Sequence, residues 1–292
     1  MPEGHSVHRL ARQFTSVFSG QRLAVSSPQG RFAAGAEQLD GATLLSALAH
    51  GKQMFLRFDN DRVLRVHLGL YGAWSFGGDA TFRGASSIGA PRRVGESEAP
   101  SESGPPVYAG PPAPVGAVRV RLVSDHGWAD LRGPTACEVI TTAEEKLARA
   151  KLGPDPLQPR SDGSAFVAKI MASITPVGIQ LMNQAVIAGI GNIYRAEVLF
   201  LQGINPRRPG KLLREDEAQA IWSETVRLMK DGVREGRIIT TTPEARNGRP
   251  KRSAPNYVYK RTGEPCRRCG TAILSDDMAA RTVYWCPSCQ AD

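Results

Sequence analysis

The chain has 292 residues, of which 41% are hydrophobic and 7% aromatic, and this length suits about two domains of roughly 100–200 residues each. The composition excludes a collagen-like chain, a wholly disordered chain and a disulfide-stapled miniprotein. No apolar run approaches the ~18 residues of a membrane helix, and the N-terminus lacks the apolar stretch of a signal peptide, so we expect a cytoplasmic, non-secreted protein without a membrane partner.

The charge balance favours a polyanionic partner. Lys and Arg number 37 against 28 Asp and Glu, which gives a net charge of +9. The excess is concentrated in residues 246–268, where eight cations face the single acid Glu264, with Tyr257 and Tyr259 among them. Basic and aromatic residues together suit the phosphates and bases of nucleic acid. A solvated basic loop is the alternative interpretation.

The first predicted element is a helix. Apolar residues recur every three or four positions from Val7 to Phe18, and Gly20 ends the pattern. Branched and aromatic residues then predict strands, over 54–58, 63–68 and 118–123. Short strands without intervening helices favour an antiparallel sandwich or barrel.

Residues 77–117 interrupt the strand pattern, because seven Pro and eight Gly stand among them. Such a stretch buries too little apolar surface to offset its ordering entropy, so we predict a flexible insertion between two strands. From Thr142 the pattern turns helical. Candidate helices lie over 164–174, 179–185, 194–201 and 215–233. Short strands around cysteines end the chain.

Two cysteine pairs have the most specific spacing in the chain. Cys266-x-x-Cys269 and Cys286-x-x-Cys289 are separated by sixteen residues, which is typical of a four-cysteine zinc ribbon. Four thiolates leave no open coordination position, so the spacing predicts one structural Zn²⁺. Disulfides or free thiols are the alternative, and the expected intracellular location disfavours disulfides.

Two further features are weak by themselves. Asn192, which follows Gly189 and Gly191 at a predicted helix start, suits an N-cap beside a phosphate site; an ordinary corner between helices is the alternative. Removal of Met1 exposes the secondary amine of Pro2, which can attack an electrophilic carbon and form an iminium ion, with Glu3 beside it to move protons. An ordinary Pro-Glu helix start is the alternative here.

Seven segments in chain order carry a resemblance to a known family. They are 1–4 (MPEG), 50–52 (HGK), 67–72 (HLGLYG), 152–157 (LGPDPL), 188–192 (AGIGN), 263–269 (GEPCRRC) and 281–290 (RTVYWCPSCQ). Together they resemble the formamidopyrimidine-DNA glycosylase/endonuclease VIII family of base-excision-repair enzymes, and the 70–72 and 284–286 variants are closest to the endonuclease VIII branch. The resemblance covers the chain except for residues 77–117.

The resemblance implies an α+β multidomain fold. An N-terminal helix plus antiparallel β-sandwich occupies 1–141, a helix–two-turns–helix domain 142–255 and a zinc ribbon 256–292. The resemblance also implies that double-stranded damaged DNA binds in the cleft between the N-terminal and C-terminal domains. We expect a monomer that acts at the bacterial nucleoid.

The resemblance also implies roles for individual residues in catalysis. Pro2 resembles the nucleophile that attacks C1′ of the damaged nucleotide, and Glu3 resembles the proton donor for ring opening and base departure. Lys52 resembles a hairpin lysine that contacts phosphate and assists β-elimination. Arg281 resembles the zinc-ribbon arginine that grips phosphates and assists δ-elimination.

Other residues match DNA contacts of the family. Asn192 and Lys151 resemble phosphate contacts. Leu70 and Tyr71 are candidates for filling the hole that a flipped base leaves, with packing in a hairpin core as the alternative. Two positions depart from the family pattern: His5, whose role is open, and Gly69, where some endonuclease VIII enzymes carry a polar void-filling residue.

The predicted function is that of a bifunctional DNA glycosylase/AP lyase. It removes oxidised bases, pyrimidines in particular, through a proline Schiff base followed by β,δ-elimination. Alternatives are a formamidopyrimidine-type enzyme for oxidised purines, an AP lyase with feeble base removal, and a non-catalytic zinc-ribbon DNA-binding protein. The intact set of Pro2, Glu3 and Lys52 argues against the last of these.

Overall fold

The computed structural model describes residues 2–90, 108 and 110–291. The chain forms two compact units, Met1–Ala150 and Lys151–Asp292, each with a buried hydrophobic core. Among the described helices, none combines the length and apolarity that a membrane crossing requires.

The first unit contains two antiparallel sheets. Its strands are β1 (Ala24–Ser26), β2 (Leu44–His50), β3 (Gln53–Phe58), β4 (Arg62–His67), β5 (Ala73–Gly78), β6 (Ser87–Gly89), β7 (Val118–Val123), β8 (Gly127–Arg132) and β9 (Ala136–Thr141). One sheet has the order β1-β7-β8-β5-β6 and the other β2-β3-β4-β9. Apolar side chains of both sheets meet in one core, which confirms the predicted sandwich. The three predicted strands correspond to β3, β4 and β7.

Helix α1 (Gly4–Phe18) packs on β2 and β3 and closes this core. Phe14, on its apolar face, meets Trp74 and Phe76 edge-on, with ring centroids 4.8 and 5.2 Å away. The helix ends before Gly20, as the sequence predicts, and the φ of 79° at Gly20 suits glycine. Two shorter helices belong to the same unit: α2 (Ala33–Leu39) and α3 (Thr142–Ala150).

The prediction of a flexible insertion over 77–117 is wrong for its first part, which pairs in the sheet. Strand β5 continues to Gly78, and β6 pairs with it in register Trp74 opposite Ile88. Ile88 is buried in the core despite the many Gly and Pro residues that follow it. Pairing with the already buried strand β5 stabilises β6, although the composition of this segment alone argues against any ordered strand. Residues 91–107 and 109 of the predicted insertion lie outside the described residues.

Helix α3 belongs to the first unit. It packs on β4 and β9, and the buried carboxylate of its Glu145 receives two hydrogen bonds from Arg57 of β3, at 2.6 and 2.8 Å. The first unit therefore extends to Ala150, nine residues beyond the predicted boundary at 141. The three-domain division itself stays a prediction.

The second unit is helical at first and ends in a hairpin. Its elements are α4 (Ser164–Met171), α5 (Val177–Gln180), α6 (Asn192–Leu201), a 3₁₀ turn (Gly210–Leu212), α7 (Glu215–Glu235), α8 (Pro243–Arg246), β10 (Leu274–Met278) and β11 (Arg281–Trp285). The predicted helix over 179–185 is wrong beyond Gln180. There the side chain of Gln184 bonds Gly189 N and Ile190 O, so the chain turns instead of continuing the helix.

Candidate active site

The N-terminal pair lies at the start of α1. Pro2 is buried, and Glu3 is 0% exposed. The helix begins with a bond from Ser6 N to Glu3 O of 2.9 Å, and Glu3 occupies the N-cap position. Its side chain nevertheless makes no capping hydrogen bond. A carboxylate that caps a helix accepts hydrogen bonds from the first-turn amides. Helix capping therefore does not explain the Glu3 side chain.

His5 follows Glu3 by two residues, in the first turn of α1, and is buried. Ser6 Oγ lies 3.2 Å from its Nε2. Burial, helped by the positive charges of Arg9, the amino terminus and His8, lowers the pKa of His5 to about 3. His5 is therefore neutral near pH 7, as expected of a histidine that packs at a helix start.

Lys52 occupies the two-residue turn between β2 and β3. Gly51 precedes it with a φ of 58°, the conformation that type II′ hairpin turns use at this position. Gln53, which follows it, pairs with His67 at the end of β4. Burial lowers the pKa of His67, and the positive charges of Lys52 and Arg65 lower it further. Lys52 and His67 therefore share one end of the four-stranded sheet.

The loop after β4 begins at the same end. Gly72 N donates to Leu68 O at 2.9 Å and closes a tight turn, from which Leu70 and Tyr71 project with 38% and 80% of their surfaces exposed. The alternative that these two side chains pack in a hairpin core is therefore wrong. Their role as DNA contacts stays a prediction.

Asn192 does not cap α6, contrary to the sequence interpretation. Gly191 holds the N-cap position, and Asn192 is the first helical residue. The Asn192 side chain accepts from Arg195 and donates from Nδ2 to Thr282 O at 3.0 Å. Arg195, which is fully buried, also donates to Thr282 O at 2.9 Å. These bonds tie the start of α6 to β11.

Arg281 stands next to Thr282 and opens β11. The preceding turn, Ala279–Ala280, has φ values of 51° and 58°, a conformation that L-residues adopt at a cost of roughly 1–2 kcal/mol each. The Arg281 side chain is exposed, and among the described residues it has no hydrogen-bond or ion-pair partner. The structure thus brings Asn192 and Arg281 to neighbouring elements of one unit.

Lys151 is exposed at the beginning of the second unit. The segment that follows it binds the glycine-rich turn before α6: Gly153 N donates to Gln184 O, and Ala188 N donates to Pro154 O. Lys151 and Asn192 therefore flank two segments that are joined by backbone hydrogen bonds. Both remain predicted phosphate contacts.

The four ribbon cysteines converge as the spacing predicts. Their sulfur atoms all lie within 4.8 Å of one another, with Cys269 Sγ 3.5 Å from both Cys286 Sγ and Cys289 Sγ, and Cys266 Sγ 3.9 Å from Cys289 Sγ. Tetrahedral zinc with Zn–S bonds of about 2.3 Å requires sulfur separations of about 3.8 Å. The site therefore fits one structural Zn²⁺, whose contribution is to cross-link the ribbon.

We expect Cys286→Ser to reduce the zinc content from one ion per chain to none and to abolish DNA binding at the same time. Apparent binding free energies of structural zinc are about 10–16 kcal/mol, so the ribbon that presents Arg281 should unfold without the ion. Elemental analysis and fluorescence anisotropy measure the two effects. Cys137→Ser is the matched control, because Cys137 lies outside the cluster. A metal-free Cys286→Ser protein that binds DNA normally would contradict the assignment.

Part of the basic segment 246–268 belongs to the interior of the second unit, although most of its residues are exposed. Four of its arginines donate to backbone carbonyls: Arg246, Arg261, Arg267 and Arg268. Tyr257 is buried and stacks on Phe200 at 5.1 Å. Arg246, Arg261 and Tyr257 are buried, so the interpretation of the whole segment as a nucleic-acid surface is wrong for these three residues. It stays a prediction for the exposed cations, which are Arg249, Lys251, Arg252, Lys260 and Arg268.

Sequence reasoning also missed a buried carboxylate. Glu197 of α6 is 0% exposed and accepts from the backbone amides of Tyr257, Val258 and Tyr259 at 2.7–2.9 Å, and from the Thr240 hydroxyl. It joins α6 to the segment that leads into the ribbon. Arg195 and Glu197 follow Asn192 by three and five positions. Two charged residues in an otherwise apolar helix are the sequence signal that could have indicated these buried contacts.

Comparison with known proteins places these elements in a family. Residues 1–127 match the formamidopyrimidine-DNA glycosylase N-terminal domain, 152–244 match the H2TH domain of the same enzymes, and 263–291 match the zinc finger found in FPG and IleRS. The chain is 42% identical to "Endonuclease 8 1" of Mycobacterium tuberculosis over 99% of this chain and 100% of that one. The chain belongs to the formamidopyrimidine-DNA glycosylase/endonuclease VIII family.

Other members of the family extend the comparison. The chain is 31% identical to the DNA-(apurinic or apyrimidinic site) lyase Nei2 of Mycolicibacterium smegmatis, over 99% of both chains. The Lactococcus lactis Fpg structure, in complex with abasic-site DNA, has a TM-score of 0.74 at 22% identity and covers 99% of this chain and 100% of its own. The family, the α+β fold and the zinc ribbon are thereby confirmed, and the family's activity is that of a DNA glycosylase and AP lyase.

Proposed function

We propose that this DNA glycosylase/AP lyase of base excision repair removes oxidised pyrimidines from double-stranded DNA through a Schiff base on Pro2. The observation that carries the proposal is the fully buried Glu3, which follows Pro2 directly and does not cap α1. A buried carboxyl group beside an N-terminal secondary amine suits proton transfer during covalent catalysis. The 42% identity to Endonuclease 8 1 over 99% of the chain supports a place in the endonuclease VIII branch, and the pyrimidine preference is proposed on that basis.

The proposed chemistry assigns each residue a step. After Met1 is removed, the Pro2 nitrogen attacks C1′ and the damaged base leaves. Glu3 delivers a proton as the sugar ring opens, and the bond between C1′ and the nitrogen becomes an iminium. The iminium acidifies the neighbouring C2′–H. A general base can then remove this proton while the bond from C3′ to the 3′ phosphate breaks and the phosphate departs.

Further residues hold the reacting strand. Lys52, on the two-residue turn between β2 and β3, contacts a phosphate and assists the first elimination. Arg281 contacts phosphate and assists the second elimination, which releases the 5′ phosphate. Asn192 and Lys151 are proposed as further phosphate contacts that fix the strand in register without reading its sequence. We propose that the enzyme works as a monomer on DNA in the cytoplasm.

A panel of duplexes, each with a single lesion, tests the substrate proposal. We expect rapid cleavage at 5-hydroxycytosine and thymine glycol, slow cleavage at 8-oxoguanine and none in undamaged DNA. Both phosphate bonds should break, which leaves a 3′-phosphate end in gel analysis. Preference for oxidised purines would favour the formamidopyrimidine-type alternative. Cleavage of pre-formed abasic sites alone would favour a lyase with feeble base removal, as the name of the 31%-identical relative suggests for that protein.

A further inference from the structure

Helices α4 and α7 of the second unit pack side by side in opposite directions. The rings of Phe166 in α4 and Trp222 in α7 have centroids 5.7 Å apart, and a Cβ on Gly163, just before α4, would lie 2.5 Å from the Trp222 ring. Past the other end of α4, Ser173 O accepts from Lys211 N at 2.8 Å, in the 3₁₀ turn that precedes α7. The start of α4 therefore lies beside Trp222, and its end lies beside the start of α7.

An open groove runs between the two helices. It has a volume of about 590 Å³, and its walls are Val167, Ala168 and Met171 of α4 and Glu215, Gln219 and Trp222 of α7. We call it the α4–α7 groove. The residues of each wall recur at helical spacing, so they share one face of their helix. Helix α4 has eight residues, which gives the groove a length of about 12 Å at 1.5 Å per residue.

Apolar surface is exposed in the groove and continues beyond it. Met171 is only half-buried, and Ile174 and Leu212, at the end where α7 begins, are 72% and 55% exposed. Backbone hydrogen bonds between residues 173–175 and 210–211 hold the segments of Ile174 and Leu212 side by side. Neighbouring exposed apolar side chains with a polar rim are typical of protein interaction sites.

The two ends of the groove are acidic. Asp162 lies at the end where α4 begins and Glu215 at the end where α7 begins, and both are exposed. Within the described part of the chain, neither carboxylate has an ion-pair partner, because the nearby Arg214 is bonded to Asp216. No cation is among the described residues that line the groove, although the whole chain has a net charge of +9. This surface therefore repels the phosphates of nucleic acid and attracts cations.

We propose that the α4–α7 groove binds a short amphipathic segment of a partner protein that carries a lysine or arginine at each end. Its apolar side chains cover Met171 and Trp222, and its two cations pair with Asp162 and Glu215. A helical segment fits, because an amphipathic helix can lay its apolar face into a groove between two helices. Burial of the apolar wall supplies affinity, and the two carboxylates select a basic partner.

Selection from a displayed library of random peptides tests the proposal without assuming a partner. Peptides of about 12 residues are long enough, since they form roughly 18 Å of helix. Selection runs in parallel on the unmodified protein and on Ala168→Arg, which places a long cation in the middle of the groove. Ala165→Arg is the matched control, because Ala165 is exposed on the same helix but does not line the groove. We expect groove-dependent peptides to bind the unmodified protein and Ala165→Arg, but not Ala168→Arg.

These peptides should combine apolar residues at helical spacing with Lys or Arg at both ends. Fluorescence anisotropy then measures their affinity for the double variant Asp162→Asn/Glu215→Gln. We expect binding to weaken about 2- to 30-fold, the range that two exposed ion pairs contribute, and to depend less on salt.

Three results would overturn the proposal. One is a selection that yields no peptide whose binding depends on the groove. Another is a set of groove-dependent peptides that are acidic, or whose affinity is the same for the double variant. The third is self-association of the unmodified protein that Ala168→Arg abolishes in analytical ultracentrifugation, because a second copy of the chain would then occupy the groove.

Discussion

Glu3→Gln is expected to lose base removal while keeping much of its strand cleavage at pre-formed abasic sites. Base removal needs a proton as the sugar ring opens, and glutamine cannot supply one. General acid–base groups contribute about 10²–10⁴-fold, so the rate on a damaged-base duplex should fall by that order. An abasic site has already lost its base, and its aldehyde reacts with Pro2 directly. Single-turnover rates on both substrates, from one preparation, measure the separation.

Glu37→Gln is the matched control for this variant. Glu37 lies exposed on α2, so the same chemical change there should leave both rates unaltered. If Glu3 served only as a charge near the start of α1, the loss would be modest and equal on the two substrates. Equal small losses would leave the N-terminal site without its proposed acid.

Borohydride is expected to trap a covalent complex between the protein and abasic-site DNA, with the DNA attached to Pro2. The reagent delivers hydride to the iminium carbon and turns the reversible adduct into a stable amine. Peptide mapping by mass spectrometry identifies the attached residue. Inserting one alanine between Met1 and Pro2 converts the proline nitrogen into an amide without a basic lone pair, so no adduct should form on Pro2.

Pro2→Gly serves as the comparison, because a terminal glycine still offers an amine and should retain some trapping. The inserted-alanine protein should keep its zinc and its fold, which circular dichroism checks. An adduct that maps to a lysine-containing peptide, such as that of Lys52, would show that the nucleophile assignment is wrong.

Sequence periodicity predicted the elements whose signals are local. The apolar face of α1 and the strands β3, β4 and β7 were visible because each buries one regular face. Strand β6 was not visible in the sequence, because its three residues are stable only through pairing with β5 and the composition around them favours disorder. The helical pattern was predicted to begin at Thr142, but no candidate helix was placed over α3, and its position beside β4 and β9 depends on the ion pair and packing that a folded sheet provides.

The metal site was fully predictable, and the proposed catalytic pair could be picked out, because both depend on residues close together in the chain. Cysteine spacing alone determines which thiolates can share an ion. The adjacency of Pro2 and Glu3, together with the order of the seven segments, was enough to indicate the family. No distant contact is needed to recognise either feature.

Tertiary structure alone decided what several of these residues do. The Asn192 amide binds Arg195 and Thr282 instead of capping α6, a choice that exists only once β11 lies against the helix. Thr135 takes the place of a side chain at Gly69, although 66 positions separate the two residues. Such contacts depend on sheet register, which joins residues distant in the chain, and local spacing carries no information about that register.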